Sequence, residues 1–215
     1  MADDNLARQC AALLKLGTAT IHEAQGQKGA VDPALKPIDS AMRVAGPALT
    51  VRCRPGDNLA LHYALTKARP GQVVVVDAEG FLNAGPWGDV MSTAAMLRGV
   101  AGLVIDGAVR DAQAITDLGF PVFSRGVCIR GTNKYQPGVV GEPIVLGGVV
   151  VRTGDVVVGD RDGVVVVLQE EVASALAASQ AREDKEATFR EQLRSGRTTV
   201  ELINLGPILD SYGMK

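Results

Sequence analysis

The 215-residue chain is poor in cysteine, in aromatic side chains and in net charge, and each shortage closes off a class of protein. Cys10, Cys53 and Cys128 are odd in number, scattered and without CxxC spacing. That argues against a disulfide framework or a structural zinc site and fits a reducing compartment. Aromatics make up only 4%, so the core must come from Val, Leu, Ile and Ala. A formal net charge of -2 gives no global attraction to nucleic acid or to an anionic membrane. No apolar run approaches the ~20 residues that span a bilayer. The opening MADDNLARQC has no apolar signal core, so the chain reads as cytoplasmic. There is no Gly-x-Ser-x-Gly elbow, no Cys beside a His and no phosphate loop.

What is present is an ordinary share of hydrophobic residues (47%) with 25 glycines and 10 prolines, which points to short elements and tight turns. Asn5 to Leu16 has helical spacing. The following stretch to Asp39 gives a short helix around His22 and Glu23, capped by Thr18 or Thr20, and then a surface loop. Met42 to Arg54 reads as a strand whose Gly46-Pro47 interruption suggests an edge or a bulge. Asp57 then caps a helix running to Ala68. Four valines, Val73 to Val76, fit a strand buried on both faces, as in a parallel sheet. Helix Asp89–Val100, strand Leu103–Asp106, helix Ala112–Leu118 and strand Pro121–Phe123 follow. Beyond Glu142, Val-rich runs separated by Gly-Asp turns predict an antiparallel meander or barrel-like sheet. A long helix spans Glu170 to Leu193, and its tail carries apolar residues suited to docking. The prediction is one α/β domain, residues 1–215, whose parallel and antiparallel pieces share a core.

The chemistry concentrates between Gly85 and Asp111. Gly85 to Gly88 and Gly107 to Asp111 read as turns; Asp89 and Asp111 each precede a helix, so each alone reads as an N-cap worth ~1 kcal/mol. Arg110 alone reads as a partner for a nearby acid. Taken together they lie one α/β step apart. If the preceding strands are parallel neighbours, both carboxylates emerge at the same sheet edge. Two carboxylates without an intervening Lys suit Mg²⁺ or Mn²⁺, and Arg110 would offer a positive fork to a substrate oxygen. Metal plus arginine is one way to stabilise an enolate. His22 and His62 read as packing or surface residues, although a catalytic role is the alternative. Cys53 and Cys128 have arginine neighbours that lower a thiol pKa, or else they are small buried residues.

Gly85-x-x-x-Asp89, twenty residues and then Arg110-Asp111 resembles the G-X3-D-X20-R-D signature of metal-dependent pyruvate aldolases in the RraA-like family. VAGPALTV, GDNLALHYAL, PGQVVVVDA, RGTNKYQPG and GDVVVGDRDGVVVV resemble it too, so the likeness covers most of residues 17–195. The resemblance implies a layered α/β/β sandwich assembled as a homotrimer or homohexamer with sites between subunits. The C-terminal helix and tail, about 170–215, would pack on a neighbour. It implies Asp111 as direct ligand to Mg²⁺ or Mn²⁺, and Asp89 as holder of metal waters. Arg110 would act on the enolate oxygen. The loop Gly85, Pro86, Trp87 and Gly88, with Val90 and Met91 beyond it, would receive the substrate carboxylate, and Lys134 would sit at the distal end. The acid donated by a neighbouring subunit matches Glu186, with Glu183 one turn earlier as the alternative. Some members carry a further acid shortly after the Arg-Asp pair; here Ala114 stands three residues on and Asp117 six. The implied reaction is class II cleavage of 4-hydroxy-4-methyl-2-oxoglutarate or 4-carboxy-4-hydroxy-2-oxoadipate to pyruvate and a second 2-oxo acid, with oxaloacetate decarboxylation as a side activity. A non-catalytic regulator that binds a ribonuclease and a dedicated oxaloacetate decarboxylase are the other readings.

Overall fold

The structure, a computed structural model, describes residues 2–214, so Met1 and Lys215 lie outside it. Helices α1 (Ala2–Leu16) and α2 (Thr18–Ala24) lead to β1 (Lys36–Pro37) and β2 (Val44–Arg52). Three strand-helix steps follow: α3 (Leu59–Lys67) and β3 (Val73–Phe81), α4 (Asp89–Leu97) and β4 (Gly102–Val109), then α5 (Ala112–Leu118) and β5 (Val122–Val127). The next strands are β6 (Val139–Val140), β7 (Ile144–Leu146), β8 (Val149–Val151), β9 (Val156–Asp160) and β10 (Gly163–Val167). A 3-10 turn precedes the long α6 (Val172–Arg194), and the short α7 (Thr199–Leu202) and α8 (Gly206–Ser211) close the chain.

The main sheet has the order β1-β5-β4-β3-β2-β9-β10, with β6 also on β2. β2, β3, β4 and β5 are parallel neighbours, while β1, β6, β9 and β10 add antiparallel pairs. This is the mixed α/β architecture expected. Val73–Val76 and Leu103–Ile105 are fully buried, as strands covered on both faces must be. The β7–β8 hairpin lies against β2 and β3 as a further layer. A second apolar cluster holds α1, α2 and the first turns of α6 on β9 and β10, through Leu13, Ile21, Val158, Val165 and Ala175. The expected single meander is therefore two separate hairpins.

Several expectations need correction. Pro47 does not mark an edge strand. β2 is central, and its pairing switches at that residue: Val44–Pro47 faces β9, and pairing with β3 begins at Ala48. The missing N–H therefore falls where one side of the strand is unpaired. Gly107 to Val109 belongs to β4 and not to a turn, so the turn is confined to Arg110 and Asp111. The stretch after α2 is not merely surface loop, because Val31 and Leu35 are buried in the main core. Thr18 and Thr20 do not cap α2, which has Gly17 at that position. The Thr18 N–H and hydroxyl instead donate to Asp160 (2.8 and 2.7 Å).

Candidate active site

Because β3 and β4 are parallel neighbours, the segments that leave them reach the same edge of the sheet. This carboxyl-end edge is where open α/β sheets hold their ligands. β3 feeds the buried loop Ala84–Gly88 and then α4, with Asp89 as its first residue. β4 feeds Arg110 and Asp111 and then α5.

Gly88 is the contact between the two segments. A Cβ there would overlap the Asp111 Oδ2 oxygen and lie 3.1 Å from Arg110 Nε. Gly85 has the same role one turn back, where a Cβ would stand 2.6 Å from the Cys128 carbonyl and 2.9 Å from Arg110 Cβ. Both positions need glycine for close approach. Gly88 has extended backbone that any residue adopts. The Arg110 N–H donates to the Trp87 carbonyl (2.8 Å), which locks the segments together. Trp87 is fully buried, stacks on Phe120 with centroids 6.2 Å apart, and donates its indole N–H to Ser92 Oγ (2.8 Å). Its role here is to anchor the loop.

Asp111 has a left-handed backbone, φ 57°, and its side chain makes no capping bond to α5. A non-glycine residue in that region carries strain. This removes the simple N-cap reading and leaves the carboxylate facing Arg110 Nε at 3.4 Å, with both side chains partly exposed. Asp89 Oδ1 accepts from the Val90 N–H (2.7 Å) at the start of α4. Along the loop, the Gly85 N–H is already donated to the Arg130 carbonyl (2.9 Å), and Pro86 has none. Among the described residues the Trp87 and Gly88 amides donate to no protein acceptor. They are the free donors next to α4, the Ala84 amide being a third further back, and Gly85 contributes space. Val90 is exposed and Met91 buried.

Lys134 is exposed on the loop after β5. Asn133 holds that loop through paired backbone bonds to Gly56 (2.9 Å) and Asn58 (3.1 Å). The N-cap of α3 is Asn58 and not Asp57, although Asp57 serves that helix start and more. Its buried carboxylate accepts from Leu59 N (2.8 Å), Tyr135 N (2.7 Å) and Gln136 N (3.2 Å). Burial pushes its pKa up, but these amides and the Lys134 charge outweigh that and hold it below the ordinary carboxylate value. His62, on α3, is held below its usual pKa by burial first and by Lys134 second.

Glu186 and Glu183 lie on α6. Glu186 is flanked on its own helix by Arg182 Nε at 2.9 Å, close but not aligned as a hydrogen bond, and by Arg190 Nη1 at 3.7 Å. Glu183 pairs with Arg190. α6 packs on α1 and α2 of its own chain, so neither acid is brought to Asp111 within one copy.

Two features escaped the sequence reading. Asp106, in the middle of β4, is buried against Arg125 of β5, and Arg125 also reaches Asp32 at 2.9 Å. Asp106 Oδ2 further accepts the Gly147 N–H (3.0 Å), tying the β7–β8 hairpin to the sheet. The Asp106 hydrogen bond holds the Arg125 pKa above its ordinary value. A lone acid inside LVID was the available signal. The second is Asn58, which bonds both the Lys134 loop and Pro86. Cys53 is a buried thiol donating to the Asp57 carbonyl (2.8 Å), and burial, with Asp57 second, pushes its pKa up to about 12. The activated-thiol reading of Cys53 therefore fails.

An α/β protein with a carboxylate and an arginine at the carboxyl edge of a parallel sheet is thus defined by its own geometry. The chain belongs to the RraA-like family, described as Aldolase/RraA, whose profile matches residues 18–166. A relative from Halalkalibacterium halodurans, provisionally named 4-hydroxy-4-methyl-2-oxoglutarate aldolase, is 41% identical over 157 residues, covering 73% of this chain and 75% of that one. Among solved structures, an uncharacterized protein of Pseudomonas syringae pv. tomato superposes with a TM-score of 0.82 at 29% identity, covering 91% and 92% of the two chains. Streptomyces coelicolor RraAS2, described as an unusual member of the RNase ES inhibitor RraA protein family, superposes with a TM-score of 0.75 at 29% identity, covering 88% and 98%.

Proposed function

We propose that the chain is a divalent-metal-dependent pyruvate aldolase. It cleaves 4-hydroxy-4-methyl-2-oxoglutarate or 4-carboxy-4-hydroxy-2-oxoadipate to pyruvate and a second 2-oxo acid. The observation that carries this reading is the Asp111 carboxylate, turned away from its own helix by a left-handed backbone and set beside Arg110 over Gly88. The aldolase name of the 41% identical relative supports it.

The residues fit a hard cation. Asp111 caps nothing, and Mg²⁺ keeps several waters while using one or two carboxylates. Among the described residues no three His, Cys, Asp or Glu gather into a metal-holding group, so one chain offers only that short donor set. Asp111, with Asp89 and with Glu186 of a second copy, would hold Mg²⁺ or Mn²⁺, which would supply a Lewis acid for the 2-oxo group. The Trp87 and Gly88 amides, at the N-terminus of α4, receive the substrate carboxylate. Val90, whose side chain is exposed, follows them, Met91 packs beneath, and Lys134 takes the distal acid. Arg110 sets its guanidinium against the oxygen that gains charge as pyruvate enolate forms. Asp89 and Glu186 are the groups available to accept the C4 hydroxyl proton as the C3–C4 bond breaks, and a proton returned to C3 of the enolate gives pyruvate. The same stabilisation of an enolate decarboxylates oxaloacetate as a side activity.

The site needs a second copy, and the surface is consistent with one. Leu82, Val90, Val127 and Ile129 are exposed on segments leaving this edge of the sheet. Beyond Ser179 the described part of α6 and the tail bury no residue, while Leu193, Ile203, Ile208 and Tyr212 stand exposed. We assign this arm to a neighbouring subunit in a trimer or hexamer. The test is pyruvate release, coupled to lactate dehydrogenase, across several 4-hydroxy-2-oxo acids with Mg²⁺ and Mn²⁺. Release is expected, and none from any substrate with either metal would refute the proposal. The likeness to RraAS2 favours a second reading, binding of a ribonuclease. A tight ribonuclease complex in a pull-down, together with no pyruvate release, would establish it. A kcat/KM for oxaloacetate far above those for the aldol substrates would make decarboxylation the main activity.

A further inference from the structure

We propose that Asn58 is a positioning residue that fixes the separation between the two ends of the site, the Lys134 loop and the Pro86–Gly88 loop. The residue is only 7% exposed and works in both directions. Its backbone N–H donates to the Asn133 carbonyl (3.1 Å), next to Lys134. Its side-chain Nδ2 donates to the Pro86 carbonyl (2.9 Å) and lies 3.8 Å from Met91 Sδ. Neighbouring bonds stiffen both attachments. Asn133 N–H returns to Gly56, Asp57 takes the Tyr135 and Gln136 amides, and Trp87 carries the far end on to Arg110. One short hydrogen-bonded path therefore runs from Lys134 through Asn58 to Arg110.

The chemistry of the side chain supports a positional role. Asn58 Oδ1 is buried without a partner among the described residues. Leaving a buried acceptor unpaired costs stability. Leucine would avoid that cost but would strip Pro86 of its donor, and aspartate would set an acceptor against the Pro86 carbonyl. The amide is the choice that keeps the bridge. Local choices that sacrifice stability cluster at functional sites. Asn58 thus acts as a ruler for substrates that engage both loops. The ruler role rests on the aldolase reading, whereas the coupling of the two loops does not.

Two arms of one experiment separate these claims. In hydrogen–deuterium exchange on the whole protein, Asn58→Asp should speed exchange in both 86–91 and 131–136 by about tenfold, with 103–109 unchanged. Acceleration in only one loop, or equally in 103–109, would overturn the coupling. In the kinetic arm, cleavage of a substrate with a distal carboxylate should fall about tenfold further than pyruvate methyl-proton exchange, mainly through KM. Lys134→Met should reproduce that split, and the double variant should be no worse than either single one. Equal losses in the two reactions, or additive losses in the double variant, would overturn the ruler. Asn58→Ser, which keeps a donor on a shorter arm, should show the same directions if the aspartate variant folds poorly. A wild type that neither cleaves substrate nor exchanges pyruvate protons would overturn the ruler with the aldolase reading, and the exchange arm would still decide the coupling.

Discussion

Replacing Gly88 with alanine isolates the geometry on which the account depends. Gly88 has φ -147° and ψ -168°, so alanine brings no backbone strain. The substitution acts only through the new methyl. That methyl would overlap Asp111 Oδ2 and lie 3.1 and 3.2 Å from Arg110 Nε and Cγ. Both side chains are partly exposed and can turn aside, so the cost to the fold should be about 1 kcal/mol or less, including the weaker cap. Restoring normal contact moves the Asp111 carboxylate by on the order of 1 Å. A shift of that size at a reacting site costs about 100-fold, equivalent to ~2.7 kcal/mol of barrier. Gly88→Ala should therefore unfold within a few degrees of wild type, bind Mn²⁺ measurably more weakly in calorimetry, and release pyruvate about 100-fold more slowly in the coupled assay. A variant with unaltered Mn²⁺ affinity and turnover would refute the placement of Asp111 and Arg110 in one site.

Other outcomes follow from the same structure. Arg110→Ala should lower kcat by about 100-fold or more, as loss of a donor to developing negative charge does, with little change in thermal unfolding, because the side chain is 45% exposed. Asp106→Ala leaves Arg125 with Asp32 alone and should cost about 3 kcal/mol in urea unfolding, as breaking a buried pair does. Asp57 has a folded-state pKa below its ordinary value. Its stabilisation is therefore fully present above the unfolded pKa of ~3.9 and is lost as pH falls through the lower folded value. Asp57→Asn should flatten the acid limb of the stability-pH curve and loosen the Tyr135–Gln136 loop.

The sheet was legible because its strands are buried on both faces. Val73 to Val76 could only be interior, and the alternation with helices gave parallel neighbours. That topology in turn brings the segments carrying Asp89 and Asp111 to one edge, as the spacing suggested. Boundaries were less legible where polar or small residues continue a strand. Gly107 and Ala108 look like a turn but are buried and paired with β3 and β5. Pro47 looked like an edge residue because the change of partner along β2 leaves no mark in sequence. The Asp111 backbone was not legible, since nothing in the local sequence singles out this aspartate for a left-handed φ of 57°. Nor was the Asp106–Arg125 pair, whose members lie 19 residues apart on adjacent strands and meet only once the sheet forms. Asn58 and Asp57 read as a helix start, and that is half of their function. The other half consists of bonds to residues 28 and 78 positions away. Glu186 was reached only through the family resemblance, because within one chain it pairs with arginines of its own helix.

The most direct test of the central claim is pyruvate release from 4-hydroxy-4-methyl-2-oxoglutarate by the wild type before EDTA treatment, after it, and after Mg²⁺ is restored, with Asp111→Ala alongside. The account predicts that activity disappears with the metal, returns with Mg²⁺ and never appears in the Asp111 variant. Undiminished cleavage after EDTA, or a fully active Asp111→Ala protein, would contradict it.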